Sequence, residues 1–355
     1  MEWSQRTDAF CVRYGLRVPI LLAPMAGVSA PSLSIAVARA GGLGACGALL
    51  MQPGEIVSWT QTVRAASNGA FQLNLWIPDP PPMRDGERER RAREFLSAWG
   101  PPVPPEAGNA RPPDFTAQCE ALLEAGAPVV SSVMGLFPPD YVARLKAAGA
   151  AWFATASTVA EAEAAQAAGA DAVIVQGMEA GGHRAAFCAE EAERAMAGLF
   201  SLLPIVADRV RVPVIATGGI ADGRGVAAAL TLGASAVQIG TGFMRCPEAQ
   251  LPPAWSDALA HALPEQTLVT RAFSGRAGRS LATAYALAAA APEAPEPAPY
   301  PVQRGLTAAM RAAAVAEGAL ERMQAWAGQS ASLASNEPAG DLVERLWSDA
   351  RRLLP

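Results

Sequence analysis

Three stretches of the chain repeat one design: "ARLKAAGAAWFAT", "AEAAQAAGADAVIVQG" and "VAAALTLGASAVQIGT". Each reads as an alanine-rich helix stopped by a glycine, a Gly-Ala turn and a short apolar run. Consecutive apolar positions mean that both faces of the strand are covered, as in a parallel sheet flanked by helices. A helix followed by a buried parallel strand, repeated, leaves two architectures: a doubly wound sheet or an α/β barrel.

The number of strands favours the barrel. Candidate runs lie at 19–25, 42–48, 71–77, 128–134, 151–156, 171–177, 212–219 and 235–242. Eight is the number that closes a TIM (β/α)8 barrel. Nearly every run ends in polar or glycine residues, such as Asn74, Thr155, Gln176-Gly177 and Thr217-Gly218-Gly219. Those are the C-terminal strand ends, where barrel enzymes build their sites.

Two segments break the rhythm. Residues 78–115, proline-rich and charged with a helix-like centre, read as a lid-like insertion after strand 3. The barrel is expected over residues 1–245 and a C-terminal helical extension, packed on it, over 246–355. The extension contains a proline linker, "APEAPEPAPYP".

A chain that is 51% hydrophobic and 17% charged can bury a large core. A net charge of -5, with no basic run interleaved with aromatics, gives nucleic acid no footprint. The opening MEWSQRTDAF lacks the basic-then-apolar order of a secretion signal. The run VPILLAPMAGV is short and holds two prolines, so it reads as strand and loop, not membrane span. The five cysteines form no CxxC pair, and two histidines cannot complete a typical zinc site with them. They read as buried thiols in a reducing, cytoplasmic compartment, and no metal is expected.

The glycines of "VIATGGIADGRG" and "VQIGTGF" fall on the loops after the last two strands. Exposed backbone N–H groups there can hold a phosphate, which points to Gly218, Gly219, Gly240 and Thr241. Met25, in a small-residue loop, allows close approach of a flat ligand. Asn74 and Gln176 offer amides, each both donor and acceptor, to a planar heterocycle. In "VIVQGMEAGGHRAAF", His183 sits on a Gly-Gly loop at the active end of the barrel, placed to titrate or to donate to a ligand. The pattern is not HExxH, and two glycines argue against a helical Glu179/His183 pair. His261, in "SDALAHALPE", reads as a surface or structural residue. Arg271, Arg276 and Arg279 fit an anion or a domain junction equally and stay outside the expected site.

The ordered set "APMAGVS", "LNLWIPDP", "QGMEAGGHRAAF", "VIATGGI", "VQIGTGF", "TLVTRAFSGRAGRSL" and "AWAGQSASLA" resembles the nitronate monooxygenases, formerly 2-nitropropane dioxygenases, of class I. The resemblance covers nearly the whole chain. It implies a barrel holding non-covalent FMN, contacted by Asn74, Gln176, Gly181, Gly218 and Gln238-Ile239-Gly240-Thr241, with Met25 on the first loop. It implies His183 as base toward a neutral nitroalkane or hydrogen-bond partner of a nitronate. The implied reaction takes an alkyl nitronate and dioxygen to a carbonyl compound and nitrite. Small-molecule substrate and O2 are then the partners, and a homo-oligomer is left open. Where class I relatives carry a Ser-Phe-His-Phe-Gly-like fourth strand, this chain reads Ser131-Ser132-Val133-Met134-Gly135. The alternatives are a flavin-dependent enoyl-(acyl-carrier-protein) reductase using NAD(P)H, a non-catalytic FMN-binding relative, and an FMN-free isomerase of sugar phosphates.

Overall fold

The computed structural model describes residues 2–355. In chain order its strands are β1 (Ile20–Leu22), β2 (Gly44–Gly47), β3 (Phe71–Trp76), β4 (Val129–Val133), β5 (Ala151–Ala156) and β6 (Ala172–Gln176). They continue with β7 (Gly182–His183), β8 (Val214–Thr217), β9 (Ala236–Ile239), β10 (Thr267–Thr270) and β11 (Gly278–Leu281). Eight of them, all but β7, β10 and β11, form one parallel sheet in the order β1-β9-β8-β6-β5-β4-β3-β2. A parallel bridge between Leu21 and Leu43 joins β1 to β2 and brings the two ends together. The expected TIM barrel is thus the observed one. β5 has the expected bounds, and the other seven strands are shorter than their apolar runs suggested, because pairing stops where the run turns into loop.

Alternation along the strands sorts their residues into two layers. On β3, Phe71, Leu73 and Leu75 pack outward against the helices, while Gln72 and Asn74 alternate with them. Leu21, Phe153, Ile174, Ile215 and Ala236 fill the barrel interior, and Phe10 and Leu16 of the N-terminal segment cover it from below. The next residue of the same parity is polar on six strands: Asn74, Ser131, Thr155, Gln176, Thr217 and Gln238. Side chains of these six ring the upper end of the plug.

The helix Ala339–Leu353 buries Leu342, Val343, Leu346 and Ala350, a stripe at helical spacing. It packs on the helices Gly223–Thr231 and Pro31–Arg39, which follow β8 and β1. It therefore stands in the outer ring of the barrel. Residues before it rise above the strand ends and meet the segment after β3. There Ala92 and Leu96 share a small core with Phe273, Tyr285, Val302, Leu306 and Met310. Arg276 bonds Asp79 at 3.1 Å across the same junction. The run "APEAPEPAPYP" is packed chain: Ala298 is buried, and the backbone at Tyr300 lies against Gly275.

Four of the five cysteines are buried, but Cys188 is exposed beside Glu190, which corrects the expectation for that residue. Cys188 lies in the irregular segment between β7 and the helix Leu199–Arg209, outside any regular element that would bury it. Among the described residues no helix is long and apolar enough to cross a membrane.

Candidate active site

One cavity of about 770 Å³ opens at the C-terminal ends of the barrel strands. Met25, Asn74, Gln176, Gly181, His183, Gly218, Gly219, Gln238, Gly240 and Thr241 all line it. Ile239 does not. It is one residue from Gln238 and so points to the opposite face, into the core between strands and helices.

The glycine end of the cavity has unused donors. Gly218 and Gly219 adopt φ of 107° and 70°, a left-handed region that side chains resist. Their N–H groups and that of Gly240 find no acceptor among the described residues. A phosphate fits such a cradle. Two amides on the wall are half-used. Asn74 donates Nδ2 to Ser131 Oγ at 3.0 Å, leaving Oδ1 free to accept. Gln238 accepts from Gln72 Nε2 at 2.9 Å, leaving its own Nε2 to donate. An acceptor and a donor on the wall of one cavity suit the edge of a flavin ring.

Gln176, besides lining the cavity, is bonded through both ends of its amide. Its Nε2 donates to His183 O at 3.1 Å, and its Oε1 accepts from Ala185 N at 2.9 Å. The side chain braces the loop that carries the histidine. Glu179, to which sequence reasoning assigned no role, accepts from Leu199 N at 2.9 and 3.0 Å. It caps the helix Leu199–Arg209, where a carboxylate meets the positive end of the helix.

His183 is held by a strand that sequence reading missed. Gly182 and His183 form β7, paired antiparallel with Arg279 and Gly278 of β11. Two residues are too few for a periodic signal, so only the tertiary partner defines this strand. Arg271, Arg276 and Arg279 serve the same loop, donating to Ala189 O, Ala186 O and Met178 O. They fasten the histidine loop and do not line the cavity.

The imidazole edges against Trp76 and Trp326, with ring centroids 4.6 and 4.7 Å away. Its Nε2 lies 2.7 Å from Ser274 Oγ. Burial, and then the charges of Arg276 and Arg304, lower its pKa from 6.5 to about 3. His183 is therefore neutral at physiological pH. The Ser274 hydroxyl also lies 3.2 Å from Arg276 O. If its proton goes to that carbonyl, Nε2–H donates to Ser274 and Nδ1 is a bare base. If the hydroxyl donates to Nε2, Nδ1 carries the proton and donates instead. Ser274 thus permits both tautomers. Ser274→Ala should cost about tenfold in turnover and about 1 kcal/mol in stability, read by nitrite release and by melting.

Ser274, Trp76, Trp326, Tyr300, Arg304 and Arg311 were not expected at the site, yet all line it. Most come from the last third of the chain, where no local pattern points to the barrel mouth. The altered fourth strand contributes Met134, buried in the wall at φ of 65°. The aromatic rings against His183 are instead those of Trp76 and Trp326, with Tyr300 packed on Trp76.

Comparison with known proteins gives this cavity its context. The family model described as nitronate monooxygenase matches residues 12–349. A nitronate monooxygenase of Pseudomonas aeruginosa is 38% identical over 356 residues, covering 97% of this chain and 99% of the relative. One of Paraburkholderia phytofirmans is 37% identical over 348 residues, covering 95% and 93%. Among solved structures, a nitroalkane oxidase from Streptomyces ansochromogenes superposes with a TM-score of 0.87 at 36% identity, over 96% of this chain and 98% of that one. FabK from Thermotoga maritima superposes with a TM-score of 0.75 at 29% identity, over 98% and 96%. The chain belongs to the nitronate monooxygenase family and is a flavin-dependent oxidoreductase.

Proposed function

We propose that the protein binds FMN in this cavity and oxidises alkyl nitronates with O2 to a carbonyl compound and nitrite. The observation that carries the reading is the meeting of unused glycine N–H groups, the free Asn74 Oδ1 and neutral His183 around one cavity. Gly218, Gly219, Gly240 and Thr241 would hold the phosphate, and Asn74 and Gln238 the ring edge. Bound there, the flavin supplies the electron transfer between nitronate and oxygen. Met25 and Gly181 shape the wall beside it.

His183 supplies the proton chemistry on the substrate side. With Nδ1–H it donates to a nitronate oxygen and orients the anion. With Nδ1 bare it takes the α-proton of a neutral nitroalkane. A pKa near 3 makes it a weak base, so the first role is favoured and nitronates should outpace nitroalkanes. Trp76 and Trp326 exclude water from the imidazole.

Anaerobic mixing tests the reading. Nitronates are expected to bleach the flavin within the turnover time, and nitrite to appear once oxygen is admitted. Fast bleaching by NADH with none by nitronates would instead favour the enoyl reductase reading.

A further inference from the structure

The cavity wall carries two full cations and, among the described residues, no carboxylate. Arg311 is fastened to neutral acceptors: Nε donates to Thr307 Oγ1 at 3.1 Å and Nη2 to Arg304 O at 2.9 Å. Arg304 differs. Its guanidinium makes no hydrogen bond or ion pair with the protein, although it is only partly exposed. Its neighbour Tyr300 has a hydroxyl that is buried and equally without partner. Both residues line the cavity, and Arg304 is close enough to His183 to depress its pKa.

Desolvating a guanidinium without a counter-charge is costly, and folding gains nothing visible from it here. The cost is explained if a ligand supplies the acceptors. On the reading of the cavity given above, we infer that Arg304, backed by Arg311 and Tyr300, is the receptor for a planar two-oxygen anion of the substrate. A planar fork of N–H donors matches two oxygens in one plane, as a nitronate or a carboxylate presents them. Arg304 is then a specificity-determining residue that selects anionic over neutral substrates at the binding step. The anion then sits within reach of both Arg304 and His183, which line the same cavity.

Calorimetric titration of the flavin-loaded enzyme with butanoate and with nitrate, two unreactive anions of this shape, tests the assignment. Arg304→Met is expected to weaken both by about ten- to a hundredfold, and Arg304→Lys to recover part of the loss. Equal affinity in wild type and Arg304→Met overturns it, as does an Arg304→Lys protein that melts like wild type but binds no better than Arg304→Met.

Kinetics then separate the two sources. A KM that rises alike for the nitronates of 1-nitropropane and 3-nitropropanoate puts the nitronate group on Arg304. A rise confined to the second puts the tail carboxylate there. A KM unchanged for both overturns the assignment. If wild type releases no nitrite from either compound, the nitronate reading falls, and the anion titration still decides the role of Arg304.

Discussion

His183→Asn is expected to lower kcat/KM for neutral nitroalkanes by about 10²–10⁴-fold, the range lost when a positioned base is removed. Preformed nitronates need no deprotonation. For them the loss should be nearer tenfold, the worth of one hydrogen bond to an anion. Nitrite release under both conditions measures the split, and equal losses would remove the distinction between the two roles. The lowered pKa adds a stability signature. Unfolded, the imidazole titrates at 6.5; folded, at about 3. Between those values the unfolded chain holds a proton that the native chain does not. Stability therefore falls as pH drops through this window, by about 1.4 kcal/mol per unit, and is fully present above it. In His183→Asn this contribution is absent, so the urea midpoint should fall less between pH 7 and pH 4 than in wild type.

Gly181→Val should be the most damaging single change at the flavin end. A Cβ there would lie 2.5 Å from Gly328 N, 2.6 Å from the Ala327 carbonyl carbon and 2.9 Å from Thr241 Oγ1. Two of the three are backbone, so no rotamer change relieves the overlap. The segment carrying Gly328 must move, breaking Gln329 N to Glu179 O and Gly328 N to Thr241 Oγ1. A cost of about 3 kcal/mol is expected, at the upper end for overpacking. Purified Gly181→Val should carry little flavin and melt early; a fully yellow protein of wild-type stability would show that the segments can part freely.

The barrel was legible because its signal is repeated. Helix, glycine stop and apolar run recur with enough regularity that eight strands can be counted, and their polar ends mark the mouth. Within the mouth the legibility follows the pleat. Asn74, Gln176 and Gln238 stand out as polar residues in apolar runs, and the structure brings all three to the cavity. Ile239 was placed there by motif alone, and alternation turns it away. What stayed hidden depends on contacts distant in sequence. Ser274 looks like any serine in "AFSGRAG", and Arg304 like any surface arginine, until β11 and the helix Val302–Leu306 set them over the barrel. The resemblance took in Ser274 through "TLVTRAFSGRAGRSL", yet it gave no role to Ser274 or to Arg304.

The pairing of β7 with β11 also bears on how the protein is made. A nascent chain that has emerged as far as Phe243 already contains all eight barrel strands and every predicted phosphate-binding glycine. It has no Gly278 or Arg279 to hold Gly182 and His183, and no Ser274 to meet the imidazole. Domains tend to fold as their residues leave the ribosome. The eight strands can thus pair early, before the outer ring is complete and with His183 still untethered. The last third of the chain then supplies the strand and the serine that fix His183 over the cavity.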